Sequence, residues 1–124
     1  MGGGEMRNLK ELNKLEQWLI ANNIHYERID KEDIPIDEAH PHCLLQYEQH
    51  QICVPEYDSE RREWDAICQR GSYGAEEGLL EIMGTIVREN DGYSVEGWLT
   101  AEDVIERIKE KYYEAVPVRL EVLQ

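Results

Sequence analysis

The stretch Trp64-Asp65-Ala66-Ile67-Cys68-Gln69-Arg70-Gly71-Ser72-Tyr73-Gly74-Ala75-Glu76-Glu77-Gly78-Leu79-Leu80-Glu81-Ile82-Met83-Gly84 holds the residues with the strongest claim to chemistry. Glycines let backbone amides approach a phosphate, and a helix N-terminus adds partial positive charge. Arg70, Gly71, Ser72 and Gly74 are therefore the candidate residues for a nucleotide or small-molecule ligand. Glu76 and Glu77 oppose that use, because carboxylates in the first helical turn occupy the same dipole and repel an anion. The opposite reading makes Tyr73, at the tip of the turn, a contact anchor. Glu76, Glu77 and Glu81 then form an acidic ridge facing basic side chains of a partner, joined by Trp98. On a helix Glu77 and Glu81 share a face at i and i+4. With Asp65 the same acids invite a divalent cation, but the spacing of a calcium loop is absent. Plain structural duties compete with all of this: turn dihedrals at Gly71 and Gly74, close helix packing at Gly78 and Gly84, and a solvated acidic helix face.

His40, His42, Cys43, His50 and Cys53 resemble a ligand set, yet their spacing matches no common zinc module. On a strand His50 and Cys53, an odd number of residues apart, point to opposite faces and do not chelate together. No metal and no cofactor is expected. Ser72 and the three cysteines have no motif-level base, and no Gly-x-Ser-x-Gly elbow is present. No catalytic residue is assigned, and an enzyme is not the first reading.

The elements that position these residues follow from periodicity. Leu9, Leu12, Leu15, Trp18 and Leu19 recur at helical spacing, with Asn8 as N-cap and Asn22-Asn23 as the stop, predicting a helix over 9–22. Residues 24–29 begin with strand alternation, and 30–41, acidic and carrying two prolines, read as an exposed connection. Residues 43–47 and 50–54 read as two strands or one continuous strand. Trp64 to Cys68 alternates as the hairpin partner of 50–54, across a charged turn at 55–63. Leu79, Leu80, Ile82, Met83, Ile86 and Val87 give the apolar stripe of a helix over 75–88. Residues 94–99 form a short strand or lead-in, and Thr100 with Asp103 marks a capping box for a helix through Tyr112, stapled by Leu99 on Val104. Val116 to Val122 alternates as a closing edge strand. The expected fold is α+β: a mostly antiparallel sheet of about four to five strands with three helices against it. Residues 1–7 are expected to be a flexible N-terminus and 8–124 a single domain.

Composition narrows the partners. The chain has 124 residues, of which 27 are acids and 13 are bases, giving a net charge of −14. Such a surface disfavours direct contact with nucleic-acid phosphates or an anionic membrane and favours a basic protein surface. Simple solubility explains the same charge without a partner. The charge is uneven: residues 1–30 carry 5 acids and 4 bases, whereas 31–124 carry 22 and 9. Three cysteines without a disulfide framework fit a reducing compartment as buried small hydrophobes. With no signal peptide or membrane-length apolar run, the expected location is the cytoplasm. A homodimer and a small-molecule ligand both stay open.

Trp64-Asp65-Ala66-Ile67-Cys68, Gly71-Ser72-Tyr73-Gly74, Gly78-Leu79-Leu80-Glu81-Ile82-Met83-Gly84 and Gly97-Trp98-Leu99-Thr100-Ala101-Glu102-Asp103-Val104-Ile105 together resemble small acidic proteins carried by phages and prophages of Firmicutes. The resemblance covers about residues 50–108. It implies a phage accessory protein that antagonises a bacterial defence or regulates host machinery, for example by occupying a basic, nucleic-acid-binding surface. It brings no catalytic residues.

Overall fold

The first helix is set by leucines one turn apart. In the computed structural model, which describes residues 7–35, 46–88 and 94–113, α1 spans Lys10–Ala21 and buries Leu12, Leu15 and Leu19 completely. Leu9 rather than Asn8 holds the N-cap position, while the Asn8 carboxamide oxygen accepts the Lys10 amide at 3.0 Å. At the other end Asn23 takes a left-handed conformation (φ 58°). Its amide donates to Ile20 O at 3.1 Å and the Ile24 amide to Leu19 O at 3.0 Å, the paired bonds that close a helix and turn the chain back.

Five antiparallel strands follow: β1 (Glu27–Pro35), β2 (Gln46–Val54), β3 (Trp64–Ile67), β4 (Leu80–Gly84) and β5 (Val95–Leu99), paired in sequence order. α2 (Ala101–Tyr112) comes last among the described elements. Alternation decides which face is dry. Ile52 and Val54 of β2, Trp64 and Ala66 of β3, and Leu80 and Ile82 of β4 form one buried cluster with the α1 leucines and with Val104 and Ile108 of α2. Both helices therefore lie on one side of the sheet. They are also tied to each other, since the Glu11 carboxylate of α1 accepts the Ala101 amide at the start of α2 at 2.8 Å. The expected capping box is present, with the Thr100 hydroxyl accepting from Asp103 N and the Asp103 carboxylate accepting from Thr100 N.

The hairpin of 50–54 with 64–68 forms as expected, with Gln51 opposite Ile67 and Val54 opposite Trp64. Two expectations are corrected. The acidic segment after Ile29 is not a connection from its start, because β1 continues to Pro35 and pairs along β2. The helix over 75–88 is not formed: Ala75–Glu77 is a single 3-10 turn and the following residues are β4, so the described residues hold two α-helices and not three. The apolar set Leu80, Ile82, Ile86, Val87 suits a strand and a turn as well as it suits a helix, so backbone geometry decides. Gly74 and Gly78 flank the 3-10 turn with φ of 96° and 76°, conformations that end a right-handed helix. Close helix packing at Gly78 is replaced by turn geometry, with the Asn8 side chain filling the space where a Cβ would stand. Residues 43–45 of the proposed second strand, His40, His42, Tyr93, residues 1–6 and the closing strand over 116–122 lie outside the described residues.

The two structures of this segment predict opposite signs for one substitution. In a helix interior Gly78→Ala stabilises by roughly 0.5–1 kcal/mol. In the observed turn it strains the backbone and places its Cβ 2.6 Å from Asn8 Nδ2, so urea unfolding should show a loss of about 1 kcal/mol or more.

Candidate functional site

An irregularity in β5 creates the site. Leu80 pairs with Leu99 and Ile82 with Glu96, so one residue of β4 stands opposite two of β5, Gly97 and Trp98. This bulge lets both Leu99 and Glu96 face the helices, Leu99 in the core and Glu96 on Arg107 of α2 at 3.0 Å. Burial favours the protonated form of Glu96, but hydrogen bonds from Arg107 and the Arg88 amide and both positive charges outweigh it and hold the carboxyl below its usual range. The extra residue is expelled: Trp98 adopts φ 57° and is 57% exposed. A left-handed backbone costs an L-residue roughly 1–2 kcal/mol, and a bulky exposed aromatic is an unusual choice for it.

The turn before β4 is built to meet that indole. Tyr73, 51% exposed, stacks on Trp98 with ring centroids 5.1 Å apart and planes 22° from parallel. The Trp98 amide donates to Tyr73 O at 3.2 Å, and the Tyr73 amide donates to the Glu81 carboxylate at 2.8 Å. Gly97 is required by proximity, because a Cβ there would overlap the Cβ of Tyr73. The two rings form one wall of an open cleft of about 430 Å³. Its remaining lining comes from Arg7, the Arg70–Ala75 segment and the exposed acids Glu76 and Glu77.

Comparison with protein-family models, curated proteins and solved structures finds no match. Roles therefore rest on geometry alone.

Of the residues singled out from sequence, Tyr73, Glu76, Glu77 and Trp98 come together at one cleft. Glu81 does not join them as an outward acid. It sits on β4 with its carboxylate turned to the Tyr73 amide, so the i, i+4 acidic face with Glu77 is not formed. Asp65 also turns elsewhere, accepting from Gln51 at 2.8 Å and Arg62 at 3.1 Å, and burial pushes its carboxyl up despite both donors. Arg70, Gly71, Ser72 and Gly74 do line the cleft. The Ser72 hydroxyl, however, is closed on Gln69, donating to its carbonyl at 2.8 Å and accepting its amide at 3.0 Å. Cys53 and Cys68 are buried thiols pushed up by that burial, Cys53 to about 11, and are poor nucleophiles. Among the described residues no cluster of three His, Cys, Asp or Glu is arranged to hold a metal ion, and no helix is long and apolar enough to cross a membrane.

Sequence reasoning missed the polar girder behind the cleft. Arg7 grips the buried Glu48 carboxylate through two bonds of 2.8 and 2.7 Å, and the Arg70 amide reaches the same carboxylate at 3.0 Å. The Arg7 hydrogen bonds, outweighing burial, hold Glu48 below the usual carboxylate range. On the neighbouring strand Arg28 joins Asp30 to Glu16 and Asn13 of α1. Burial would raise Asp30, but its hydrogen bonds to His50 and Arg28 leave it depressed. Periodicity gave little signal for it: Arg28, Asp30 and Glu32 in one strand and Glu48 and His50 in the next share a face, but Lys31, Gln49 and Gln51 between them are polar too.

Two substitutions probe the cleft and its support. Trp98→Gly removes the stack, worth about 0.5–1.5 kcal/mol beyond the area it covers, and relieves a comparable backbone strain, so urea unfolding should show a loss of about 1–2 kcal/mol. A loss of about 3 kcal/mol or more would mean that Trp98 belongs to the core. Glu48→Gln should cost about 1–3 kcal/mol at pH 7. Because the native Glu48 carboxyl is depressed, that advantage is complete above the ordinary glutamate range of about 4.3 and vanishes as pH falls through the lower native value.

Proposed function

We propose that this protein is a small acidic interaction module that docks on a basic surface of a partner protein, with the Tyr73–Trp98 stack as its anchor. The observation that carries the reading is the exposed indole of Trp98, held in a left-handed backbone and stacked on a second exposed ring. Strain retained at a surface position is the kind that function maintains. Trp and Tyr are also the residues that most often dominate binding energy at protein interfaces. Their faces attract a lysine or arginine side chain by cation–π contact, and Glu76 and Glu77 beside them add charge complementarity. The net charge of −14 extends the same attraction over the whole molecule. A basic surface of this kind is what nucleic-acid-binding proteins present, so occupying one would inhibit a host or defence protein that uses it.

A nucleotide or small molecule in the Gly71–Gly74 turn is the competing reading. Arg7 is engaged by Glu48, the Ser72 hydroxyl by Gln69, and Glu76 and Glu77 line the same cleft, all of which weaken an anion site.

Binding of an oligolysine peptide, measured by isothermal titration with an oligoglutamate control, separates the two. The expected result is binding that weakens with salt, falls about 30-fold or more in Trp98→Ala, and falls further on charge reversal at Glu76 and Glu77. Peptide binding indifferent to salt and to all three substitutions would reject the reading, and a thermal shift with a nucleotide that Arg70→Ala abolishes would favour the alternative.

A further inference from the structure

Trp98 is 57% exposed although Tyr73 lies against one face of its indole, with planes 22° from parallel. The area left open is therefore the opposite face and the edge, a flat apolar surface on the wall of the cleft. Glu76 and Glu77 line the same cleft, and among the described residues none engages either carboxylate. A further side carries Arg70 and Arg7, the latter paired to Glu48. A cation entering from outside is thus directed to the aromatic and acidic side. The cleft, at about 430 Å³, falls within the range of about 300–1,000 Å³ typical of ligand pockets, so a whole long side chain can enter.

Lysine and arginine ask different things of such a place. An ammonium is a compact, strongly hydrated point charge that must shed water to touch a ring. A guanidinium is planar and weakly hydrated. It lies flat on an aromatic face while the N–H groups at its edge reach a carboxylate. The molecule already holds one complete example of that arrangement. The Arg62 guanidinium sits over the half-exposed Tyr57 ring, 5.1 Å from its centroid, and donates to the Asp65 carboxylate at 3.1 Å.

We infer that the cleft is an arginine site. An arginine of the partner lays its guanidinium on the open face of Trp98, as a third layer on the Tyr73–Trp98 stack, and donates from its edge to Glu76 and Glu77. The cleft thus repeats the ring, guanidinium and carboxylate of Tyr57, Arg62 and Asp65, with the middle member supplied by the partner. The basic surface that this protein meets is then one that presents arginine, and a surface of lysines alone binds through charge without the stacked contact.

The assignment rests on the cleft being the docking site, and the test separates the two. Oligoarginine and oligolysine peptides of equal length are compared by isothermal titration, with their side-chain protons followed by NMR. The arginine peptide is expected to bind about tenfold more tightly, and Trp98→Ala to bring the two within about twofold. Glu76→Gln together with Glu77→Gln should weaken the arginine peptide about fivefold or more. On the wild-type chain the arginine δ-methylene protons should move upfield, because they lie over a ring face, and this reading does not depend on a variant folding. Affinities within about threefold of each other, both weakened by Trp98→Ala, overturn the arginine assignment and leave the docking site standing. A preference that survives Trp98→Ala, or arginine protons that stay unshifted on binding, also overturns the assignment. Binding of neither peptide rejects both.

Discussion

The exposed aromatic pair follows from one constraint in β5: Glu96 and Leu99 both face the helices although they are an odd number of residues apart. A regular strand sends such residues to opposite faces. The bulge at Gly97 and Trp98 resolves the conflict by giving β5 one residue more than β4. Leu99 then completes the core, Glu96 pairs with Arg107, and the surplus side chain has nowhere to go but outward. That this side chain is tryptophan, with the permissive glycine placed one position earlier to admit Tyr73, turns a packing solution into a presented surface.

Part of the acidic charge holds the fold together rather than facing outward. Several carboxylates face inward to hold elements together: Glu11 across the two helices, Glu16 and Asp30 through Arg28, Glu48 through Arg7, and Glu96 through Arg107. These acids meet guanidinium groups or orphan amides, where burial and fixed geometry give them more weight than surface pairs carry. Glu76 and Glu77 do not belong to that set. They stand exposed in the 3-10 turn next to the exposed aromatic rings. One cleft thus has an aromatic wall, an acidic lip and a side with Arg70 and with Arg7, the latter paired to Glu48 behind it.

Much of the scaffold is legible in the sequence because the relevant signals are local. The leucine spacing of α1, the Asn22-Asn23 stop, the Thr100–Asp103 capping box and the hairpin of 50–54 with 64–68 depend on neighbours a few residues apart. The helix expected over 75–88 does not form because its apolar residues satisfy both periods, and the deciding facts are the left-handed glycines and the pairing with β3 and β5. At the site, Tyr73 and Trp98 stand out separately in the sequence, and Glu76 and Glu77 with them. Their meeting depends on a register slip in β5, far along the chain from the turn, which no single window contains. Glu81 changes role for the same reason: on a helix it joins an acidic face, whereas on a strand it holds the Tyr73 amide. Arg7 and Glu48 are 41 residues apart, and only the fold brings them together behind the cleft.

The central claim is that a preformed Tyr73–Trp98 stack is where this protein meets its partner. Amide and indole chemical-shift mapping tests it most directly, first on the free protein and then on addition of the basic partner or its oligolysine surrogate. The account predicts ring-to-ring contacts between Tyr73 and Trp98 before anything is added, and perturbations centred on Trp98 Nε1, Tyr73, Glu76 and Glu77 afterwards. Rings that are not in contact in the free protein, or perturbations centred on β1 or the far end of α2 with Trp98 unmoved, would contradict it.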